Sequence, residues 1–292
     1  MLHQNPNNHR QKRTRPLNNR FKTRLLYLAP IAASLLIGVS CVLLILSSSI
    51  PTYGITPFSE DTLGFFASFG NALYFVILVG LGATILYILL KRKSHKIISL
   101  LTGFALTSAL LLMSIIYLSA ALSWFNIPYP EITVLTLSIL ITALADYAIF
   151  KTHGKPASLI VLCIGGALGA FMGISIPTLS TVLILSFLAV YDTFAVYHGP
   201  VGKIARSGLD QLRGLSFSFE DIQMGLGDLT FYSMLSGHML LVFGVISCLA
   251  SIIGILCGCL LSFRMLEKKE MFPGLPLPIF LGLTAGFLAS LL

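Results

Sequence analysis

Three of the eleven acidic residues, Asp146, Asp192 and Asp228, lie inside apolar segments, whereas the other eight lie in the polar stretches between them. A charged side chain in a bilayer is costly and usually functional. Asp192 comes six residues before the end of one predicted span, and Asp228 four residues after the start of the next. At 1.5 Å per residue, both lie about 6 to 9 Å from the same membrane boundary. The spacing therefore predicts two carboxylates at one depth on consecutive, antiparallel helices.

Two such carboxylates could act as a general acid and base. Close carboxylates cannot both ionise at low cost, so they share a proton, and one can activate a water while the other protonates a leaving group. That is the chemistry of an aspartyl protease. Three other interpretations stay open: each Asp bonds only its neighbouring helix, the pair relays protons or cations in a transporter or leak channel, or it is vestigial in a chaperone or scaffold. Asp146 is similarly deep, but Tyr147 and Lys151 offer it a structural role at the boundary.

A proline-rich stretch lies at the same predicted depth. Pro273, Pro276 and Pro278 remove three backbone donors. A non-helical stretch in a membrane must line a wet cavity or pack within protein, and it could pair with an extended peptide. The alternative is a capping turn with proline at the start of a helix.

The amino-acid composition indicates what kind of secondary structure must position these residues. Of 292 residues, 56% are hydrophobic and 10% are charged, and the mean hydropathy is +0.90. Soluble domains carry roughly 25% charged residues, so this composition argues against a soluble globular protein. At about 20 apolar residues per span, the pattern predicts an all-α, polytopic membrane protein with nine transmembrane helices. They are residues 25–48, 64–90, 97–122, 132–150, 159–176, 179–198, 224–237, 240–263 and 274–292, with the junction near Gly237 and His238 the weakest boundary.

The positions of the basic residues test the predicted number of nine spans. All 19 lie in alternate polar stretches: seven in the N-terminal tail, then four, two, three and three in the second, fourth, sixth and eighth loops. By the positive-inside rule, the N-terminus is cytoplasmic and the C-terminus extracellular. This topology accounts for the net charge of +8, and no nucleic-acid partner is expected. The alternative for the basic tail is contact with the anionic headgroups of membrane lipid. The first apolar run is longer than a signal-peptide core, so we expect a retained span.

The remaining residues predict packing and no cofactor. The five cysteines lie in apolar runs and form no metal or redox motif, and the six histidines form no ligand cluster. We therefore expect neither a metal nor another cofactor. Gly165, Gly169 and Gly173 form a small-residue stripe that predicts close helix packing.

Three motifs flank these features in chain order. They are Tyr191-Asp192 in the sixth span, Gly225-Leu226-Gly227-Asp228 at the start of the seventh, and Pro273-Gly274-Leu275-Pro276 at the start of the ninth. They resemble the YD, GxGD and PAL motifs of the presenilin and signal peptide peptidase family of intramembrane aspartyl proteases. The run MGLGDLTFYS is especially similar to presenilin, and the inferred orientation is that of the presenilin branch.

The resemblance implies a function and a set of residues. Asp192 and Asp228 would be the catalytic dyad that hydrolyses peptide bonds within transmembrane helices of single-span proteins. The resemblance further implies that other motif residues support the active site or bind substrate, namely Tyr191, Gly225, Leu226, Gly227, Pro273, Gly274 and Leu275.

The chain also departs from the family pattern. Gly274 stands where the PAL motif has alanine, and the loop of residues 199–223 is much shorter than in animal presenilins. We therefore expect a single-chain enzyme, similar to archaeal presenilin homologues, that needs no accessory subunits. The expected organisation is a cytoplasmic basic tail (1–24), helices one to six (25–198), a cytoplasmic loop (199–223) and helices seven to nine (224–292) of an integral, multi-pass cell membrane protein.

Overall fold

The computed structural model describes residues 24–48, 54–60, 64–92, 94–125, 130–151, 155–197, 216–219, 222–267 and 272–292. Within these ranges the chain forms eight α-helices, a 3-10 turn at Leu25–Leu28 and one antiparallel hairpin. The helices are α1 (Ala29–Ser47), α2 (Phe65–Lys91), α3 (His95–Leu122), α4 (Pro130–Lys151), α5 (Lys155–Ser175), α6 (Thr178–Tyr197), α7 (Leu226–Leu266) and α8 (Pro276–Ala289), and the strands are β1 (Ser216–Phe219) and β2 (Ile222–Gly225).

Helices α1 to α7 are long and apolar enough to cross a membrane, whereas α8 has 14 residues. Large apolar side chains on their outer faces are exposed, as Phe66 (80%) and Leu100 (74%) illustrate. Such faces suit contact with lipid tails, where burial against protein is not required. The prediction of a helical membrane protein is confirmed, and α1 to α6 coincide with the first six predicted segments to within a few residues.

Helix α7 reverses direction at Gly244. Its 41 residues would be about 61 Å long if straight, twice the thickness of a bilayer core. Gly244 has φ 86° and ψ −174°, a backbone conformation that only glycine adopts easily. A Cβ built at Gly282 of α8 would lie 2.8 Å from Leu235 Cδ2 and 2.7 Å from Ile255 Cγ1, so both sides of Gly244 reach the same point of α8. Farther along α8, Gly286 meets Met239 of the first arm (226–243), so this arm runs in the same direction as α8. The second arm (245–266) runs the opposite way, since its Gly258 meets Pro278 and its Gly254 meets Leu281, and the two arms are therefore antiparallel.

The predicted break near Gly237 and His238 is wrong, because the helix continues through both residues. The polar ring of His238 has hydrogen-bond partners inside the protein. Its ring nitrogens lie 2.8 Å from the Gly173 carbonyl oxygen and 3.1 Å from Thr178 Oγ1. The helix also starts at Leu226, two residues later than predicted, because Met224 and Gly225 belong to β2.

The core is centred on the first arm of α7, which packs against α1, α5 and α8. The stripe of Gly165, Gly169 and Gly173 on α5 faces this arm, and a Cβ at Gly173 would lie 2.5 Å from the Met234 carbonyl oxygen. Such close approach needs small residues. The glycine stripe thus lets the first arm of α7, which carries Asp228, pack closely against α5.

Helix α6, which carries Asp192, is held at its other end by a polar cluster. Glu60 Oε1 accepts hydrogen bonds from the Ser180 amide (2.9 Å) and from Ser68 Oγ of α2 (2.7 Å). Asn71 Nδ2 of α2 donates to Ser180 Oγ (2.9 Å). A carboxylate at a helix N-terminus satisfies an amide that has no partner within the helix. The cluster therefore fixes the start of α6 against α2.

Candidate active site

The Asp192 carboxylate is held by the backbone of the proline-rich stretch. Asp192 lies in the last turns of α6, and its Oδ2 accepts the Leu275 N–H at 3.0 Å. Its side chain is half-buried. A residue 83 positions away in the chain thus donates directly to the first of the two predicted aspartates.

The Asp228 carboxylate lies against the neighbouring residue of the same stretch. Asp228 is in the first turn of α7, and a Cβ built at Gly274 would lie 3.0 Å from its Oδ2 and 3.3 Å from its Cγ. Two aspartates from different helices therefore converge on one short piece of backbone.

That backbone, the Pro273–Leu275 segment, is non-helical. Pro273 and Leu275 are buried, so the segment packs within protein, as one of the two sequence interpretations expected. The alternative interpretation, a capping turn with proline at the start of a helix, also holds in part. Pro276 lies in the first turn of α8, and Leu275 caps that helix. The last helix consequently begins at Pro276, two residues after the predicted start.

The glycines of the Gly225–Asp228 motif leave the site open. Gly225 is extended (φ −73°, ψ 146°), ends β2 and caps α7, so its backbone needs no glycine. A Cβ at Gly225 would be 3.9 Å from Asp228 Oδ2, an ordinary contact. Gly225 and Gly227 are exposed, so bare backbone flanks the carboxylate. Leu226 instead packs against α5.

Tyr191 precedes Asp192 but its ring lies against α2. A Cβ at Gly80 would be 3.6 Å from both Cε2 and Oη of Tyr191. The ring therefore occupies the contact between α2 and α6 beside the aspartate.

Asp146 is held elsewhere. Its Oδ2 accepts a hydrogen bond from Thr107 Oγ1 at 2.7 Å, between α4 and α3. Its Oδ1 is buried without a hydrogen-bond partner among the described residues. The third aspartate is thus tied to a different pair of helices, which makes it a matched control for the other two.

Tyr232 is a site residue that the sequence interpretation left without a role. It lies one helical turn after Asp228, is 1% exposed, and its hydroxyl donates to the Gly274 carbonyl oxygen at 2.8 Å. Its position at i+4 from Asp228 places both side chains on one helix face. A buried tyrosine hydroxyl also needs a partner, which was the available signal.

The site holds a pair of acid–base groups. Among the described residues, no group of three or more His, Cys, Asp or Glu side chains could hold a metal ion. What the geometry offers is a pair of half-buried carboxyl groups beside open glycine backbone. Such a pair can activate a water and protonate a leaving amine.

The chain is similar to known proteins of one family. The family model described as Presenilin matches residues 23–206, more than half of the chain and including Asp192. Presenilin-B of Dictyostelium discoideum is 27% identical over 222 residues, which cover 71% of this chain and 46% of that protein. The chain therefore spans about half the length of this relative.

A solved structure of a presenilin family intramembrane aspartate protease has the same fold. Its TM-score is 0.65 at 18% sequence identity, and the match covers 91% of this chain and 98% of the other. Together with seven apolar helices of spanning length, the family match shows an integral, multi-pass membrane protein.

Proposed function

Because the chain belongs to the presenilin family, we propose that it is an intramembrane aspartyl endopeptidase, with Asp192 and Asp228 as its catalytic residues. The observation that carries the proposal is their convergence on the Pro273–Leu275 segment, through the Leu275 N–H at Asp192 and the close approach of Gly274 to Asp228. Sharing one proton, the pair has a base for water and an acid for the leaving nitrogen.

The substrates are transmembrane helices of single-span proteins, cut near the cytoplasmic side. A helix must unwind before its peptide bonds can be hydrolysed, and an unwound strand needs hydrogen-bond partners. The β1–β2 hairpin ends at Gly225, three residues before Asp228. An extended peptide can pair with a strand edge, so this hairpin is a suitable place for the unwound substrate.

The proposed topology has nine spans, with the N-terminus in the cytoplasm and the C-terminus outside. The two arms of α7 count as two spans because each has about the length that a bilayer requires, and residues 274–292, which include α8, form the ninth. In this arrangement Asp192 and Asp228 lie on the cytoplasmic side, where the basic loops are. The protease works as a single chain without accessory subunits.

The test is cleavage of a single-span substrate by the purified protein in proteoliposomes. We expect Asp192→Asn and Asp228→Asn each to lower kcat about a hundredfold or more, because each removes one half of the acid–base pair. Asp146→Asn is the matched control and should cleave like the wild type. The wild-type rate should follow a bell-shaped pH profile, because only the singly protonated pair is active.

Two results would overturn the proposal. One is cleavage at the normal rate by either dyad variant. The other is an uncut substrate together with an ion flux that depends on Asp192 and Asp228, which would favour a proton or cation conductor.

A further inference from the structure

The hydroxyl of Tyr232 and the carboxylate of Asp192 bind the same peptide group from opposite ends. Tyr232 donates to the carbonyl oxygen of Gly274 at 2.8 Å, and the next amide, the N–H of Leu275, donates to Asp192 Oδ2 at 3.0 Å. That carbonyl and that N–H belong to one peptide unit, which is planar and rigid. Fixing the carbonyl therefore fixes the direction of the N–H.

This peptide has few other constraints. It lies in a non-helical segment, and on its N-terminal side Pro273 has no N–H, while the N–H of Gly274 itself faces the Asp192 carboxylate. On its C-terminal side, the Leu275 carbonyl oxygen accepts the first helical bond of α8, from Ile279 at 3.0 Å. The Gly274 carbonyl thus depends on Tyr232 as its hydrogen-bond donor among the described contacts.

The anchor itself is rigid. Tyr232 is among the largest fully buried side chains and belongs to the main core on the first arm of α7. Its ring is packed between elements, so its hydroxyl cannot be displaced without disturbing that core. Asp228 sits one turn earlier on the same helix, and so the anchor and the second aspartate move as one body.

We propose that Tyr232 is a positioning residue, which aligns the Gly274–Leu275 peptide so that its N–H holds Asp192 while Gly274 lies against Asp228. The proposal rests on the proposed protease function. Tyr232 acts through the peptide and does not touch the substrate. Two hydrogen bonds through a single amide thus link Asp192 on α6 to Tyr232 on α7, the helix that also carries Asp228.

The experiment compares Tyr232→Phe with Tyr117→Phe in the full chain. Each variant removes one tyrosine hydroxyl that donates to a backbone carbonyl, because Tyr117 Oη binds the Ala167 carbonyl oxygen at 2.6 Å between α3 and α5. Each keeps its ring, so thermal unfolding should report a similar, small loss of stability. Tyr117→Phe is therefore the control for a merely structural effect.

The first readout is hydrogen–deuterium exchange of the peptide that spans residues 272–279. Its three prolines have no N–H, so the aligned amide of Leu275 is one of only five in this peptide, with those of Phe272, Gly274, Leu277 and Ile279. We expect Tyr232→Phe to speed exchange there about tenfold, and Tyr117→Phe to leave it unchanged. Equal exchange in Tyr232→Phe and wild type, or an equal increase in both variants, would overturn the proposal.

The second readout is the division of the effect between kcat and KM. We expect Tyr232→Phe to lower kcat about tenfold with little change in KM, because misaligned catalytic groups act on the transition state. Unchanged kcat in Tyr232→Phe would overturn the positioning role. A wild-type protein that does not cleave would overturn the protease function instead, and the exchange readout would still decide whether Tyr232 aligns the peptide.

Discussion

Gly274 sets the tightest steric limit beside the aspartate pair. Its missing side chain is what allows the Pro273–Leu275 segment to lie against Asp228, since a Cβ there would be 3.0 Å from Oδ2. A contact this short forces one partner to move by a few tenths of an ångström. The effect of the family alanine at this position therefore depends on how far the Asp228 carboxylate can move.

We predict that Gly274→Ala lowers kcat about fivefold, which corresponds to about 1 kcal/mol in the activation barrier. The added methyl displaces the Asp228 carboxylate from its place beside the segment, and overpacking of this kind is resisted by a close-packed core. Cleavage kinetics of the purified variant measure the effect. Gly103→Ala is the control, because its Cβ would meet only Phe150 Cζ, at an ordinary 3.5 Å. A Gly274→Ala protein as fast as the wild type would show that Asp228 has room to adjust.

At the scale of the helices, the packing of α5 against α7 determines where Asp228 lies. A Cβ at Gly169 would meet the Thr230 carbonyl oxygen and would lie 2.6 Å from Ser233 Cβ, so the helices cannot keep their distance with any larger residue. Both contacts are backbone or near-backbone atoms of α7, which cannot rotate away. The stripe on α5 is therefore a structural requirement of the site.

We predict that Gly169→Ala lowers the free energy of unfolding by about 1–3 kcal/mol, the usual cost of overpacking. Thermal unfolding in detergent measures it. Gly82→Ala on α2 is the matched control, since a Cβ there has no atom within 4 Å, and its stability should equal or exceed that of the wild type. Equal unfolding temperatures for the two variants would contradict the packing of α5 on α7.

At the scale of the whole molecule, the proposed topology has an odd number of spans, oriented by the basic loops. We predict that a reporter active only in the cytoplasm is active when fused to the N-terminus and inactive when fused to the C-terminus. The reason is that all 19 basic residues fall in alternate polar stretches. A reporter active only outside should give the opposite pattern. Both termini on one side would mean an even number of spans and would contradict the count of nine.

Much of this architecture follows from local sequence. The first six helices match the predicted segments because the thickness of a bilayer imposes a length on any apolar run, whatever its neighbours are. Asp192, Asp228 and the proline-rich stretch stand out for the same reason: a carboxylate or a run of prolines conflicts with hydrocarbon wherever it occurs. Counting residues from the ends of the predicted spans was enough to predict that they lie at one depth in the membrane.

Other features depend on contacts between distant residues. The break in α7 falls at Gly244 and not near His238, because α5 and α6 satisfy the polar ring of His238. Tyr232 could be recognised as a partner of Gly274 only once α7 and α8 were packed together.

The sequence by itself determined which residues could do the chemistry and that the membrane surrounds them. Only the tertiary structure decided how the Asp192, Asp228 and Gly274 positions meet, and that one peptide group joins Tyr232 to Asp192. The physical reason is that hydropathy and charge act residue by residue. The direction of a hydrogen bond, in contrast, is set by the relative placement of helices that lie far apart in the chain.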